Sequence, residues 1–66
     1  MDVIKAMRFF MQQHGMSQQD LSREAHLNPA TISLIMTDKR LPSMSTLIAI
    51  SDCFGVKVSE FIAAGE

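Results

Sequence analysis

Asn28-Pro29, near the middle of a 66-residue chain, marks a helix start and divides everything around it. Asparagine caps a helix because its side-chain oxygen accepts from an early helical N–H. Proline at the first helical position lacks only a donor that the helix would leave unpaired. Whatever precedes Asn28 must therefore end before it. Upstream, Ile4, Met7, Phe10, Met11 and His14 recur at three- and four-residue spacing, which predicts an amphipathic helix over residues 3–14. Asp2 can cap it and Gly15 can end it, while Phe9 falls off the apolar stripe. Ser17-Gln18-Gln19-Asp20 has the form of a capping box, and Leu21 and Ala25 give a second, short helix its inner face.

Downstream, Ile32, Ile35 and Met36 form the inward side of the helix that Asn28 starts, and Thr37 to Pro42 follow as a polar loop. Ser43 can cap a fourth helix running through about Cys53, with Leu47, Ile50 and Phe54 inward and Gly55 placed as a left-handed stop. Val58, Phe61 and Ile62 predict a fifth, short helix. Repeats, linkers and strand-like alternation are absent from the sequence, so the expected fold is all-α, a compact five-helix domain over residues 1–66.

Such a chain buries only about 60% of the surface its unfolded form exposes, so its core must be economical. With 47% hydrophobic and 20% charged residues the composition is globular, and without Trp or Tyr the interior falls to Leu, Ile, Met and Phe. The lone Cys53 cannot form an internal disulfide and fits a reducing cytoplasm. His14 and His26 lie far from it in sequence without ligand-like spacing, so no metal site is expected. The longest tightly apolar run, Leu47 to Ile50, is far short of the roughly 20 residues a membrane-spanning helix needs. No nucleophile–base pair, phosphate-cradling glycine loop or metal-ligand cluster points to an enzyme, a cofactor or a small-molecule substrate.

Charge sets a further limit. The net charge of −1 tells against indiscriminate nucleic-acid binding, because neutralising phosphates supplies most non-specific affinity. Its distribution is uneven: residues 1–50 carry Lys5, Arg8, Arg23, Lys39 and Arg40 against Asp2, Asp20, Glu24 and Asp38, while residues 51–66 carry Lys57 against Asp52, Glu60 and Glu66.

Two short helices joined by a turn between Ala25 and Asn28 make a helix-turn-helix over about residues 17–37, an arrangement able to lay its second helix in the DNA major groove. That spacing alone also fits any small helical bundle. The residues say more. SQQDLSREAHLNPATISLIMTDKRLP (17–42) followed by SMSTLIAISDCFGVKVSEFI resembles the phage repressor and Cro family, also called the Xre-type helix-turn-helix family, with its lambda-repressor-like domain. The resemblance runs from Met7 to Ile62. It rests on Ser17 and Gln18, Leu21, Ile32-Ser33, the Arg-x-Pro of Arg40 to Pro42, and the stretch from Leu47 to Val56.

The resemblance implies a sequence-specific regulator of transcription that binds double-stranded DNA as a homodimer, either Cro- or repressor-like in a phage or prophage or a small host regulator. By it, Gln18 would meet a phosphate, with solvation of the helix end as the plain alternative. Asn28, Pro29, Ala30, Thr31, Ser33 and Leu34 would face base edges and flanking backbone. Pro29, Ala30 and Leu34 offer no bidentate contact, leaving thymine-methyl contacts, hydroxyl bonds from Thr31 and Ser33, and sensitivity to DNA shape. Leu34 could instead complete the core. Lys39 and Arg40 would approach the DNA backbone, unless Arg40 is merely solvated or paired with Asp38. Lys5, Arg8 and Arg23 are weaker candidates.

Three departures from the family pattern stand out. Many relatives pair an Arg late in the first helix with a Glu near the end of the third; here Met11 and Met36 hold those places and are expected to touch. Where relatives often have Gly, His26 and Asp38 stand, each costing on the order of 1 kcal/mol if the left-handed conformation is kept. The low charge is the third, and it makes two-fold pairing important. Phe9, Ile48, Val58, Phe61 and Ile62 exceed what one small core needs and predict self-association through the C-terminal part. The competing reading is a protein–protein interaction module of the same fold, antitoxin- or anti-repressor-like, favoured by the apolar front of the third helix and the charge of −1.

Overall fold

The computed structural model describes residues 2–66, and these form α1 (Val3–His14), α2 (Gln18–Glu24), α3 (Pro29–Met36), α4 (Met44–Phe54) and α5 (Val58–Ala63). The first four begin at the capping side chains that the sequence points to. Asp2 accepts from the Lys5 N–H at 3.0 Å, Asn28 from the Ala30 N–H at 2.9 Å and Ser43 from the Thr46 N–H at 3.2 Å. Ser17 accepts from the Asp20 N–H at 3.1 Å while the Asp20 carboxylate accepts from the Ser17 N–H at 3.0 Å, closing the capping box. Lysine has no acceptor, so α5 keeps only the reciprocal bond, from the Lys57 N–H to Glu60 Oε1 at 3.3 Å.

Helices α1 to α4 end in one and the same way. A left-handed residue follows each, one position past the last helical residue at Gly15 (φ 62°) and Gly55 (φ 70°) and two past it at His26 (φ 57°) and Asp38 (φ 62°). The N–H after it reaches back five residues, from Met16 to Met11 O at 2.9 Å, Leu27 to Ser22 O at 2.9 Å, Lys39 to Leu34 O at 3.0 Å and Val56 to Ser51 O at 3.0 Å. This is the Schellman ending, which satisfies carbonyls the helix would otherwise leave unpaired. The left-handed turn is thus retained at His26 and Asp38 without glycine.

The core joins Val3, Ala6 and Met7 of α1 to Leu21, Ala25, Ile32, Ile35, Leu47, Ile50, Phe54 and Phe61. On α1 the buried line is shifted from the expected stripe: Ile4 and Met11 are half-buried at its margin and His14 is exposed. Helix α1 packs on α5, and a close helix pair favours small residues such as Ala6, which a stripe drawn through the bulky side chains passes over. Phe10 stacks on Phe54 and Phe61, with ring centroids 5.4 and 5.9 Å away. Phe61 is fully buried, so it cannot belong to an association seam, and Val58 and Ile62 are half-buried. Met11 and Met36 are both half-buried and pack against the common core.

Two serines are buried that the apolar pattern does not reveal. Their hydroxyls donate within their own helices, Ser22 to the Gln19 carbonyl at 2.9 Å and Ser51 to the Leu47 carbonyl at 2.7 Å. Neither leaves an unsatisfied polar atom. The two ends of the described chain meet where the Asp2 N–H donates to the Gly65 carbonyl at 3.0 Å. A Cβ on residue 65 would collide with the Asp2 carbonyl, which accounts for glycine there.

Candidate nucleic-acid interface

Helices α2 and α3 pack closely, and the residues between them, Ala25, His26 and Leu27, turn the chain through the Schellman ending of α2 into the Asn28 cap of α3. Leu21, Ala25, Ile32 and Ile35 are buried and Leu27 is half-buried, so the angle between the helices is set by packing. With Ile32 and Ile35 inward, Pro29, Ala30, Ser33, Leu34 and Thr37 are left exposed along the opposite side of α3, at the spacing of one helical face. Leu34 is 37% exposed, which removes it from the core and resolves that alternative. Thr31 lies at the margin, half-buried.

Hydrogen bonding narrows what this face can read. Asn28 uses its side-chain oxygen on the Ala30 N–H, leaving its NH₂ group as the outward donor. The Thr37 hydroxyl donates back to the Ser33 carbonyl at 2.9 Å and sits 3.3 Å from the Leu34 carbonyl. What faces outward is a smooth, largely apolar ridge with the Ser33 hydroxyl at its centre.

Gln18 is exposed as the first residue of α2. The negative group already at that helix end is the Asp20 carboxylate, which sequence reading assigns only to capping. Its pKa is held below the ordinary value by the Ser17 backbone and hydroxyl bonds and by Arg23, so it stays charged. The capping box uses the Ser17 and Asp20 N–H groups, so an approaching phosphate would meet the Gln18 side-chain amide and the first N–H groups of α2 beside a fixed negative charge. Arg23 is taken up by Asp20 at 2.7 Å, which explains its weak claim as a phosphate ligand.

Lys39 and Arg40 are exposed just past α3. Among the described residues the ion pair is Arg23 to Asp20, so Arg40 is not paired with Asp38. Arg40 borders two open clefts, one shared with Arg8, Asp38 and Pro42 and the other with Thr31, Ser43 and Thr46. Lys39, which the resemblance already marks, also holds a distinctive place in the turn that ends α3. In the other three Schellman endings the corresponding residue is Met16, Leu27 or Val56, each half-buried against the core. After α3 that place is cationic and points to solvent.

Among the described residues no three metal-ligating side chains converge. Burial, with a lesser effect from Glu24, pushes the Cys53 thiol up and keeps it protonated.

Fold and surface together define a small helix-turn-helix domain. The helix-turn-helix family of the Xre/Cro type matches residues 7–61, and the chain belongs to that family, one of DNA-binding regulatory domains. No curated protein and no solved structure matches the chain well enough to add to that assignment. Among the described residues no helix is long and apolar enough to cross a membrane.

Proposed function

We propose that this domain is a sequence-specific transcriptional regulator, Cro- or repressor-like, that lays α3 in the major groove of double-stranded DNA and works as a homodimer in the cytoplasm. The observation that carries this reading is the surface of α3. A helix whose inner side is locked by Ile32 and Ile35 presents an exposed ridge of Pro29, Ala30, Ser33 and Leu34, with Asn28 at one end and Lys39-Arg40 at the other.

In this arrangement Asn28, Pro29, Ala30, Thr31, Ser33 and Leu34 meet base edges and the adjoining backbone, while Gln18, Lys39 and Arg40 fix the register through phosphates. The ridge reads methyl groups and shape more than donor–acceptor patterns, because the long polar side chains that make bidentate contacts are lacking. Direct specificity is accordingly modest, and two half-sites are needed to make up for few cations.

The test is a mobility-shift titration at several salt concentrations, on sites selected from random DNA. Lys39→Ala and Arg40→Ala should each reduce the log–log salt slope by about 1 while leaving the preferred sequence unchanged. Ser33→Ala or Leu34→Ala should alter the preferred sequence with little effect on the slope. No selective retardation at any salt would leave the protein–protein module as the better reading, which the apolar character of Pro29, Ala30 and Leu34 favours.

A further inference from the structure

The first turn of α3 has no spare backbone donor. Pro29 lacks an N–H, the Ala30 N–H is held by the Asn28 side chain at 2.9 Å, and the Thr31 and Ile32 N–H groups donate to the Asn28 carbonyl at 2.9 and 3.3 Å. The far end is closed as well, because the Thr37 hydroxyl turns back to the Ser33 carbonyl at 2.9 Å. Between them Pro29, Ala30, Ser33 and Leu34 are exposed, with Thr31 at the margin. What remains to read a base edge is the Asn28 NH₂ group, two hydroxyls and hydrocarbon.

The polar groups discriminate little. A hydroxyl both donates and accepts, so Thr31 and Ser33 can meet either kind of edge, and Asn28, with its oxygen engaged, cannot make the two-sided contact that selects adenine. Hydrocarbon does discriminate, because the methyl group at pyrimidine C5 is the one apolar group that projects from a base into the major groove. Helical side chains lean toward the helix start, which directs Leu34 toward Ala30 one turn earlier, with Pro29 beside it. Pro29, Ala30 and Leu34 thus make an apolar shelf, and Lys39 and Arg40 are exposed just beyond it. Those two cations argue for a polyanion as the occupant, since an apolar protein surface would leave both without a partner.

We propose that this domain reads the C5-methyl group of pyrimidines whichever base carries it, so that 5-methylcytosine serves where thymine does and methylation of cytosine at C5 strengthens binding. The inference rests on the proposed function and names the chemical class of its ligand, duplex DNA marked by methyl groups in the major groove. Thymine and 5-methylcytosine carry the methyl group on the same ring carbon. They differ at the neighbouring position, where thymine accepts a hydrogen bond and cytosine donates one. A carboxylate or an engaged amide there would reject one of the two, whereas Ser33 and Thr31 accommodate both. Burying one methyl group changes affinity by a factor of about 4. A site read in two symmetric halves would change by roughly 10–20-fold.

Fluorescence anisotropy on duplexes carrying a site selected from random DNA tests this. Replacing each thymine in turn by deoxyuridine removes the methyl group and leaves the hydrogen-bonding edge unchanged. Binding should weaken about 4-fold at the thymines that α3 faces and stay constant elsewhere. At those positions a 5-methylcytosine–guanine pair should bind about 4-fold tighter than a cytosine–guanine pair. Both ratios should hold at every salt concentration, because a methyl group carries no charge, while the affinity itself falls with salt. Leu34→Ala should bring both ratios below ~2. Leu34→Gln, which keeps a helix-favouring chain of similar reach, should do the same and keeps the test decisive if Leu34→Ala disturbs the helix.

Equal binding with thymine and deoxyuridine at every position overturns the inference and leaves DNA recognition standing. A thymine effect without one from 5-methylcytosine overturns the equivalence of the two bases. Ratios undiminished in both Leu34 variants overturn the assignment to the shelf on α3. Absence of any selective DNA binding overturns the proposed function, and the inference falls with it.

Discussion

Replacing His26 by glycine should stabilise the domain, although the change removes an entire side chain. His26 holds φ at 57°, where its Cβ crowds the following carbonyl at a cost of about 1–2 kcal/mol that glycine does not incur. Against this, glycine frees the unfolded backbone, which costs about 0.4–1 kcal/mol. Nothing else is lost: the imidazole is exposed, and the bond from the His26 N–H to the Arg23 carbonyl at 3.3 Å is a backbone bond that glycine keeps. The net gain is about 0.5–1 kcal/mol, which in a domain of this size raises Tm by roughly 2–8 °C. Thermal unfolding followed by circular dichroism would measure it, with His26→Ala as the control that keeps the Cβ and therefore the strain. The Gly variant should melt above both wild type and the Ala variant. If His26→Gly melts below His26→Ala, the strain argument is wrong; if both melt well below wild type, the imidazole makes a stabilising contact.

Asp38 is strained in the same way and stands next to Lys39-Arg40, so Asp38→Asn should tighten DNA binding a few-fold at low salt, with the gain vanishing at high salt; equal affinity throughout would show that its charge does not reach the phosphates. Asp20 contributes stability in full above the ordinary value of 3.8 and loses it as the pH falls through its lower folded pKa, so the Tm difference between wild type and Asp20→Asn should shrink on acidification. An unchanged difference would mean that the Ser17 bonds do not depend on the charge. Met11→Arg should cost about 2–3 kcal/mol in urea unfolding, less than a fully buried charge because Met11 is only half-buried. Adding Met36→Glu should recover at least about 1 kcal/mol if the two sites adjoin. Strict additivity of the two losses would separate them.

The ends of the helices were more legible than their faces. Asp2, Ser17, Asn28 and Ser43 act within three residues of themselves, so local chemistry decides the outcome and the sequence displays it. The buried side of α1 depends on what lies across from it. The preference for Val3 and Ala6 over Ile4 and His14 comes from α5, which is more than forty residues away and contributes no periodicity to the first helix. Phe61 looked like surplus apolar surface for the same reason, since only the folded chain brings it against Phe10 and Phe54. For the interface, the family resemblance marked the outward residues of α3 and the Lys39-Arg40 pair. It could not show that Asp20 already occupies the end of α2, because the capping box reads as a structural motif wherever it occurs.

Lys39 shows how a structural rule can expose a functional position. Four helices end in the same hydrogen-bonded turn, and the residue following the left-handed one is drawn toward the core in three of them. That contact accompanies the motif because it covers the bonds that close it. After α3 the chain gives up the apolar contact and, at Asp38, the glycine as well, both of which stabilise such an ending. The turn persists because its two backbone bonds, from Asp38 to Ile35 at 3.1 Å and from Lys39 to Leu34 at 3.0 Å, remain intact. A helix end that forgoes two stabilising features to place a cation in solvent, beside the exposed ridge of α3, departs from local consistency where a binding surface would require it. Lys39→Leu separates the two demands: it should raise Tm by restoring the apolar contact while weakening DNA binding and reducing the salt slope by about 1. A lower Tm would show that no stabilising apolar contact is forgone there, and undiminished binding would show that Lys39 does not meet the DNA.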